Sequence, residues 1–184
     1  MGILNQCYYF FPFFFDLKEK IRSVPDFPKK GILFRDITTL IGDREAFGEL
    51  IETLAKRYDN KKVDVVASVE ARGFILGGAL AYRLGAGIVP IRKEGKLPWE
   101  THTASYDLEY GKDTLEIHRD ALHKGDNVLI VDDLLATGGT SSAAVSLVEQ
   151  LGGKIVELVF MIELTELKGK EKLSGYPVFS LIKY

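Results

Sequence analysis

The chain has 184 residues, 46% of them hydrophobic, which suffices for one well-packed core and is short for two. Its formal charge of −2 argues against a broad polyanion-binding surface, and so against nucleic acid as a partner, while leaving room for a local basic pocket. The single cysteine, Cys7, excludes an intrachain disulfide and a cysteine-rich metal site; His102, His118 and His123 lack metal-ligand spacing and read as solvated or locally hydrogen-bonded.

Residues 1–15, MGILNQCYYFFPFFF, are uncharged, rich in aromatics and interrupted by Pro12. The stretch is too short to span a bilayer, lacks the basic start and cleavage site of a secretory signal, and has Gln6 where a myristoylation start needs Ser or Thr. Packing on the domain surface, association with a partner and an upstream start all fit it, so it is left out of the functional reading. The remainder, 16–184, reads as one domain.

In chain order, 16–23 reads as a short polar helix with Leu17 and Ile21 on one face, and 24–30, with two prolines, as extended or turning chain. Asp43 is placed to cap a helix reaching about Tyr58, with Phe47, Leu50, Ile51 and Leu54 at helical spacing. The β-branched run 63–69 predicts a buried strand, 73–84 an apolar helix with small residues, and 86–91 the next strand. Polar, alternating and turn-rich sequence fills 93–118, a length that in a compact domain marks a functional flap. A strand at 128–131, a helix at 141–151 capped by Gly152-Gly153, and strands at 155–162 and 178–182 complete the chain. Strand–helix alternation with short connections predicts an α/β fold: a mostly parallel central sheet flanked by helices.

The strongest signal is 127–142, NVLIVDDLLATGGTSS. Apolar residues end in Asp132 and Asp133, then comes a small-residue turn, then a helix. Two acids at the carboxyl end of a parallel strand lie where such sheets bind ligands. Gly138 and Gly139 let the backbone turn its N–H groups inward, the following helix start adds partial positive charge, and Thr137, Thr140 and Ser141 add hydroxyls. That cradle suits a phosphate monoester. No lysine stands in the Walker A position, which argues against nucleoside triphosphate hydrolysis.

The segment VLIVDDLLATGGT resembles the phosphoribosyl-diphosphate signature of the type I phosphoribosyltransferases, and the resemblance implies their fold, with a small hood and a flexible flap. By that resemblance Asp132 and Asp133 hold the ribose hydroxyls, and Ala136, Thr137, Gly138, Gly139 and Thr140 hold the 5-phosphate. The signature alone leaves the base open among orotate, uracil and purines. Residues 31–37, GILFRDI, after Pro-Asp-Phe-Pro, resemble the hood of the adenine-specific members. Phe34 and a residue at the phosphate loop, Leu134 or Leu135, would sandwich adenine, with Leu33 and Arg35 offering main-chain contacts.

Three further segments, EARGF, PIRKEGKLP and YDLEYGK, match the same members. They imply Arg72, Arg92, Lys93 and Lys96 for the departing pyrophosphate, Glu109 with Arg72 in the catalytic role, Tyr110 in the flap, and a non-proline cis bond near Glu70-Ala71. The reaction implied joins adenine to 5-phospho-α-D-ribose 1-diphosphate, giving AMP and pyrophosphate, with Mg2+ bridging pyrophosphate and ribose oxygens. A cytoplasmic homodimer without nucleic-acid or membrane partners is implied as well. A guanine or hypoxanthine enzyme and a non-catalytic phosphoribosyl-diphosphate sensor are the alternatives. The sequence shows no basic helix-turn-helix of the kind such sensors add.

Overall fold

The computed structural model describes residues 16–107 and 111–184, so Glu109 and Tyr110, like 1–15, lie outside the described residues. The described chain forms two compact units, divided between Thr53 and Leu54.

In the first unit, 16–23 is not a helix. Asp16 Oδ1 accepts the Lys18 amide at 2.9 Å, and the chain makes isolated turns, Glu19 N to Asp16 O and Ile21 N to Lys18 O. Strand β1 (Arg22–Pro25) follows at once, because Arg22 is drawn across to β2 (Leu33–Asp36), where its Nε and Nη2 both donate to Asp36 Oδ2. Leu17 and Ile21 are nevertheless buried, as a helix would have buried them. The two strands pair antiparallel, Val24 opposite Phe34, as a separate two-stranded sheet. Asp36 also accepts the amide and hydroxyl of Thr38, and those bonds together with Arg22 hold its carboxyl at about 2. A single turn, α1 (Thr38–Ile41), leads to α2 (Arg44–Lys56), which Asp43 caps by accepting the amides of Glu45 and Ala46, each at 3.1 Å.

The second unit is built on a seven-stranded sheet. Its strands are β3 (Val65–Val69), β4 (Gly87–Lys93), β5 (Thr101–Asp107), β6 (Lys112–His118), β7 (Asn127–Leu135), β8 (Lys154–Glu163) and β9 (Val178–Lys183). The spatial order is β5-β6-β4-β3-β7-β8-β9, parallel from β4 through β9 and antiparallel where β6 joins β4 and β5 joins β6. Helix α3 (Gly73–Leu84) packs on β3, β4 and β7, and α4 (Gly139–Gln150) on β5 to β8. Strand alternation sends Val66 and Ser68 toward Gly77 of α3, while Ala67 and Val69 enter the cluster that holds Ala143, Ala144 and Leu147 of α4. Both faces of β3 are therefore covered, which is why Val65–Val69 is apolar except for Ser68, whose hydroxyl donates to Gly73 O at 2.6 Å.

Much of the stretch expected as flap is part of this sheet. Thr101, Thr103 and Ser105 alternate along β5, and Leu115 and Ile117 of β6 are buried in the main core. Of the histidines, His118 departs from expectation: its Nε2 is buried and bonded to no group among the described residues, with the ring edge-on to Trp99. Gly85 closes α3 with φ +66°, its amide donating to Tyr82 O.

Candidate active site

The carboxyl ends of β3, β4 and β7 meet, with β5 and β6, around a cavity of about 600 Å³. Its wall includes Glu70, Ala71 and Arg72 after β3, Lys93 at the end of β4, Tyr106 of β5, Asp113 of β6, Asp132, Asp133 and Leu134 of β7, and Ala136 and Thr140 of the loop beyond. The peptide between Glu70 and Ala71 is cis, as the resemblance implied.

Asp132 sits against the first turn of α3. A Cβ on Gly73 would lie 2.9 Å from Asp132 Oδ1, so the helix can approach the acid only because residue 73 has no side chain. Burial, and then the negative charge of Asp133, push the Asp132 carboxyl well above the usual carboxylate range. Asp132 Oδ1 accepts the Asp133 amide at 2.8 Å, while Asp133 Oδ2 accepts Arg72 Nε at 2.5 Å. The two adjacent acids are thus held by different groups, Asp132 by the Asp133 amide and Asp133 by Arg72.

The other cations are paired too. Glu70 accepts Arg92 Nε at 2.7 Å, Lys96 Nζ at 2.8 Å and the Lys93 amide at 3.0 Å. Burial alone would raise the Glu70 carboxyl, but these donors outweigh it and hold it at about 2. Lys93 Nζ lies 2.9 Å from Asp113 Oδ2; that bond raises the lysine and lowers the acid. The four cations expected together are therefore in one neighbourhood, with Arg72 and Lys93 on the cavity wall and Arg92 and Lys96 behind Glu70.

The loop after β7 turns at Gly138, whose φ of +80° suits glycine, and α4 starts at Gly139, two residues earlier than the sequence suggested. The Ser142 amide donates to Gly138 O at 2.9 Å as the first helical bond. Ala136 and Thr140 line the cavity; Thr137 is exposed, and Gly139 lines a second cavity of about 450 Å³ beside β5. Of the two leucines considered for stacking on the base, Leu134 lines the cavity and Leu135 is buried in the core. Leu33, Phe34 and Arg35 belong to β2 of the first unit. There Leu33 is exposed, Phe34 meets the Phe27 ring edge-on with centroids 5.1 Å apart, and Arg35 Nη1 donates to Ser23 Oγ.

Sequence reasoning gave no role to Glu70, which holds the cations, and missed three further residues. Asp113 and Tyr106 stand directly opposite each other in the β5–β6 pairing, and period-two alternation from Asp113 through Leu115 and Ile117 was the signal for that face. Gly169 lies against the back of the phosphate loop: a Cβ there would collide with Ala136 O and come within 3.1 Å of Gly138 N. It had no signal beyond an isolated glycine in a charged stretch.

A family model described as a phosphoribosyl transferase domain matches residues 38–182. An adenine phosphoribosyltransferase from Clostridium kluyveri is 59% identical over 169 residues, covering 92% of this chain and 98% of that protein. The crystal structure of adenine phosphoribosyltransferase from Thermoanaerobacter pseudethanolicus superposes with a TM-score of 0.89 at 56% identity, over 91% of this chain and 98% of the other. The Saccharomyces cerevisiae enzyme, solved with an imino-altritol bisphosphate and adenine, gives a TM-score of 0.85 at 44% identity over 90% and 96% of the two chains. Likeness of this extent, carried through both the signature loop and the sheet that positions it, places the chain in the adenine phosphoribosyltransferase family.

Proposed function

We propose that the chain transfers the 5-phosphoribosyl group of 5-phospho-α-D-ribose 1-diphosphate to adenine at this cavity, releasing pyrophosphate and AMP. The carrying observation is the wall itself: paired acids, a glycine-turned loop leading into a helix, and two cations face one space. A phosphorylated sugar diphosphate needs each of these. Asp132 and Asp133 would take the ribose hydroxyls, and Ala136 to Thr140, with the N-terminal amides of α4, the 5-phosphate. Arg72 and Lys93, backed by Arg92 and Lys96 on Glu70, would receive the negative charge that grows on pyrophosphate as the bond breaks.

Departure of pyrophosphate leaves the ribose carbon oxocarbenium-like, so the residues mostly position groups and stabilise charge. Phe34 with Leu134 would flank the base, Leu33 and Arg35 would read its edge through the main chain, and Glu109 would handle its proton, with Tyr110 covering the site. Covering excludes water, which would otherwise consume the activated sugar.

Magnesium fits the residues present. Among the described residues no three His, Cys, Asp or Glu side chains cluster as a metal site, and magnesium typically takes one or two carboxylates, substrate oxygens and several waters. Asp132 and Asp133 are the carboxylates this chain offers for that arrangement, and the bound ion would supply charge neutralisation at the leaving group. The reading extends, on the family resemblance, to one catalytic domain over 16–184 that works as a homodimer in the cytoplasm. Among the described residues no helix is long and apolar enough to cross a membrane.

Turnover of adenine, hypoxanthine and guanine, each with the sugar diphosphate and magnesium, tests the proposal. AMP formation from adenine with negligible turnover of the other two is expected; equal use of a 6-oxopurine would overturn the base assignment.

A further inference from the structure

The proposed chemistry uses Arg72 and Lys93 and leaves Asp113 without a part, although Asp113 is an acid on the wall of a site meant for a polyanion. Charge alone makes this a defect, since a carboxylate facing a diphosphate repels it. Its bonds suggest otherwise. Asp113 Oδ1 accepts the Thr114 amide at 2.9 Å, and Oδ2 receives both Lys93 Nζ at 2.9 Å and the Tyr106 hydroxyl at 3.2 Å. Tyr106 and Thr140, the latter in the phosphate loop, line the same cavity. A chain of bonds, Tyr106–Asp113–Lys93, therefore runs along the cavity wall to the end of β4.

We propose that Asp113 is a positioning residue for the diphosphate: it fixes the ammonium of Lys93 on the cavity wall and is itself held there by the Tyr106 hydroxyl. The backbone sets this up, because Tyr106 and Asp113 are cross-strand partners and Lys93 faces Leu115, two residues along β6 from Asp113. A lysine has four flexible side-chain torsions and three donors. Asp113 occupies one donor and restrains the torsions, leaving two N–H groups for pyrophosphate oxygens. Tyr106, buried in part and donating its hydroxyl to Oδ2, and the Thr114 amide on Oδ1 keep the carboxylate from following the lysine when the ligand binds.

This rests on Lys93 binding the diphosphate, so the experiment separates the two ideas. Pyrophosphate and AMP binding to the full chain are measured by calorimetry in magnesium buffer for the parent, Lys93→Ala, Asp113→Asn and the double variant. Asp113→Asn is expected to weaken pyrophosphate roughly tenfold, the size of one charge-assisted contact, and to leave AMP, which has no diphosphate, unchanged. The double variant should bind pyrophosphate no more weakly than Lys93→Ala, because Asp113 acts through that lysine. Tyr106→Phe should reproduce part of the Asp113→Asn loss. If Lys93→Ala leaves pyrophosphate affinity intact, Lys93 is not a diphosphate ligand and the underlying reading fails. If Lys93→Ala weakens binding but Asp113→Asn leaves it unchanged or tightens it, as repulsion alone requires, the positioning role is overturned. Equal losses for AMP and pyrophosphate in Asp113→Asn would reduce Asp113 to a structural residue and overturn it as well.

Discussion

Gly169→Ala should damage a loop more than thirty positions away in sequence. Gly169 opens a short 3-10 turn (Gly169–Leu173) and is buried against the phosphate loop. A methyl group there would overlap Ala136 O, lie 2.9 Å from Leu135 Cδ1 and 3.1 Å from Gly138 N. Two of those three neighbours are main chain and cannot rotate away, so the loop itself must shift. The reverse contact is as close, since a Cβ on Gly138 would lie 2.5 Å from Gly169 O. Overpacking of this kind costs about 1–3 kcal/mol, which for a chain of this size lowers Tm by roughly 2–12 °C. The larger effect is on function. A shift of about 1 Å at a positioned phosphate can cost on the order of 10²-fold, so kcat/KM for the sugar diphosphate and AMP affinity should both fall by between tenfold and that figure. Gly78→Ala is the control: its Cβ would meet only Ile88 Cδ1, at an ordinary 3.7 Å, inside helix α3. It should stabilise by about 0.5–1 kcal/mol and leave kinetics unchanged. A Gly169→Ala protein with parental AMP affinity and kcat/KM would refute the reasoning, because it would mean the loop yields without consequence.

Replacing Asp132 and Asp133 together by asparagine should weaken sugar-diphosphate binding while the protein stays folded, each lost charge-assisted contact being worth about 1.5–3 kcal/mol. Unchanged affinity by calorimetry would remove the ribose assignment. Glu109→Gln should lower the maximal rate at least about tenfold with little change in sugar-diphosphate affinity. A normal single-turnover rate with only product release altered would show that Glu109 shapes the cover and transfers no proton.

What the sequence disclosed and what it hid divide along physical lines. Helix α3 was legible to the residue because small and apolar positions run from Gly73 to Tyr82 and a left-handed glycine stop follows at Gly85. Asp43 as cap and Gly152 as helix end were legible for the same local reason: each acts on amides or carbonyls within a few residues of itself. The turn at 16–20 was misread because Leu17 and Ile21 sit at helical spacing in either case, and what decided the outcome was Arg22 reaching Asp36 across β1 and β2. Strand β5 was hidden by its polarity. Its partner β6 supplies the buried residues, so alternation in 101–107 had no apolar member strong enough to announce a strand. In the site, the residue types that touch phosphate were visible as a contiguous string. The acids that hold the cations were not, because Glu70 with Lys96 and Asp113 with Lys93 are made neighbours only by the sheet.

Those acid–base pairs explain how a site with both signs of charge stays open to a polyanion. Were Arg72 and Lys93 unpaired, two like charges on one wall would repel each other. Instead each has an acid of its own, Asp133 and Asp113, while the cation side chains remain about half exposed, 43% and 55%. The more exposed pair, Lys93 with Asp113, contributes about 0–1 kcal/mol, less than a charge-assisted bond to phosphate at about 1.5–3 kcal/mol. The cations can therefore meet the ligand through donors that their acids leave open, and no pair has to be broken. The contrast within the same unit is Glu157, which accepts both Arg57 Nε and Nη2 at 2.6 Å and the Tyr58 hydroxyl, with the Arg57 guanidinium stacked 4.1 Å above Phe179. A planar, bidentate, stacked pair of that kind is built to hold α2's end to the sheet and offers nothing for a ligand to replace. The same residue types thus divide by geometry: fixed forks where the fold must persist, point contacts from half-exposed cations where a substrate must intervene.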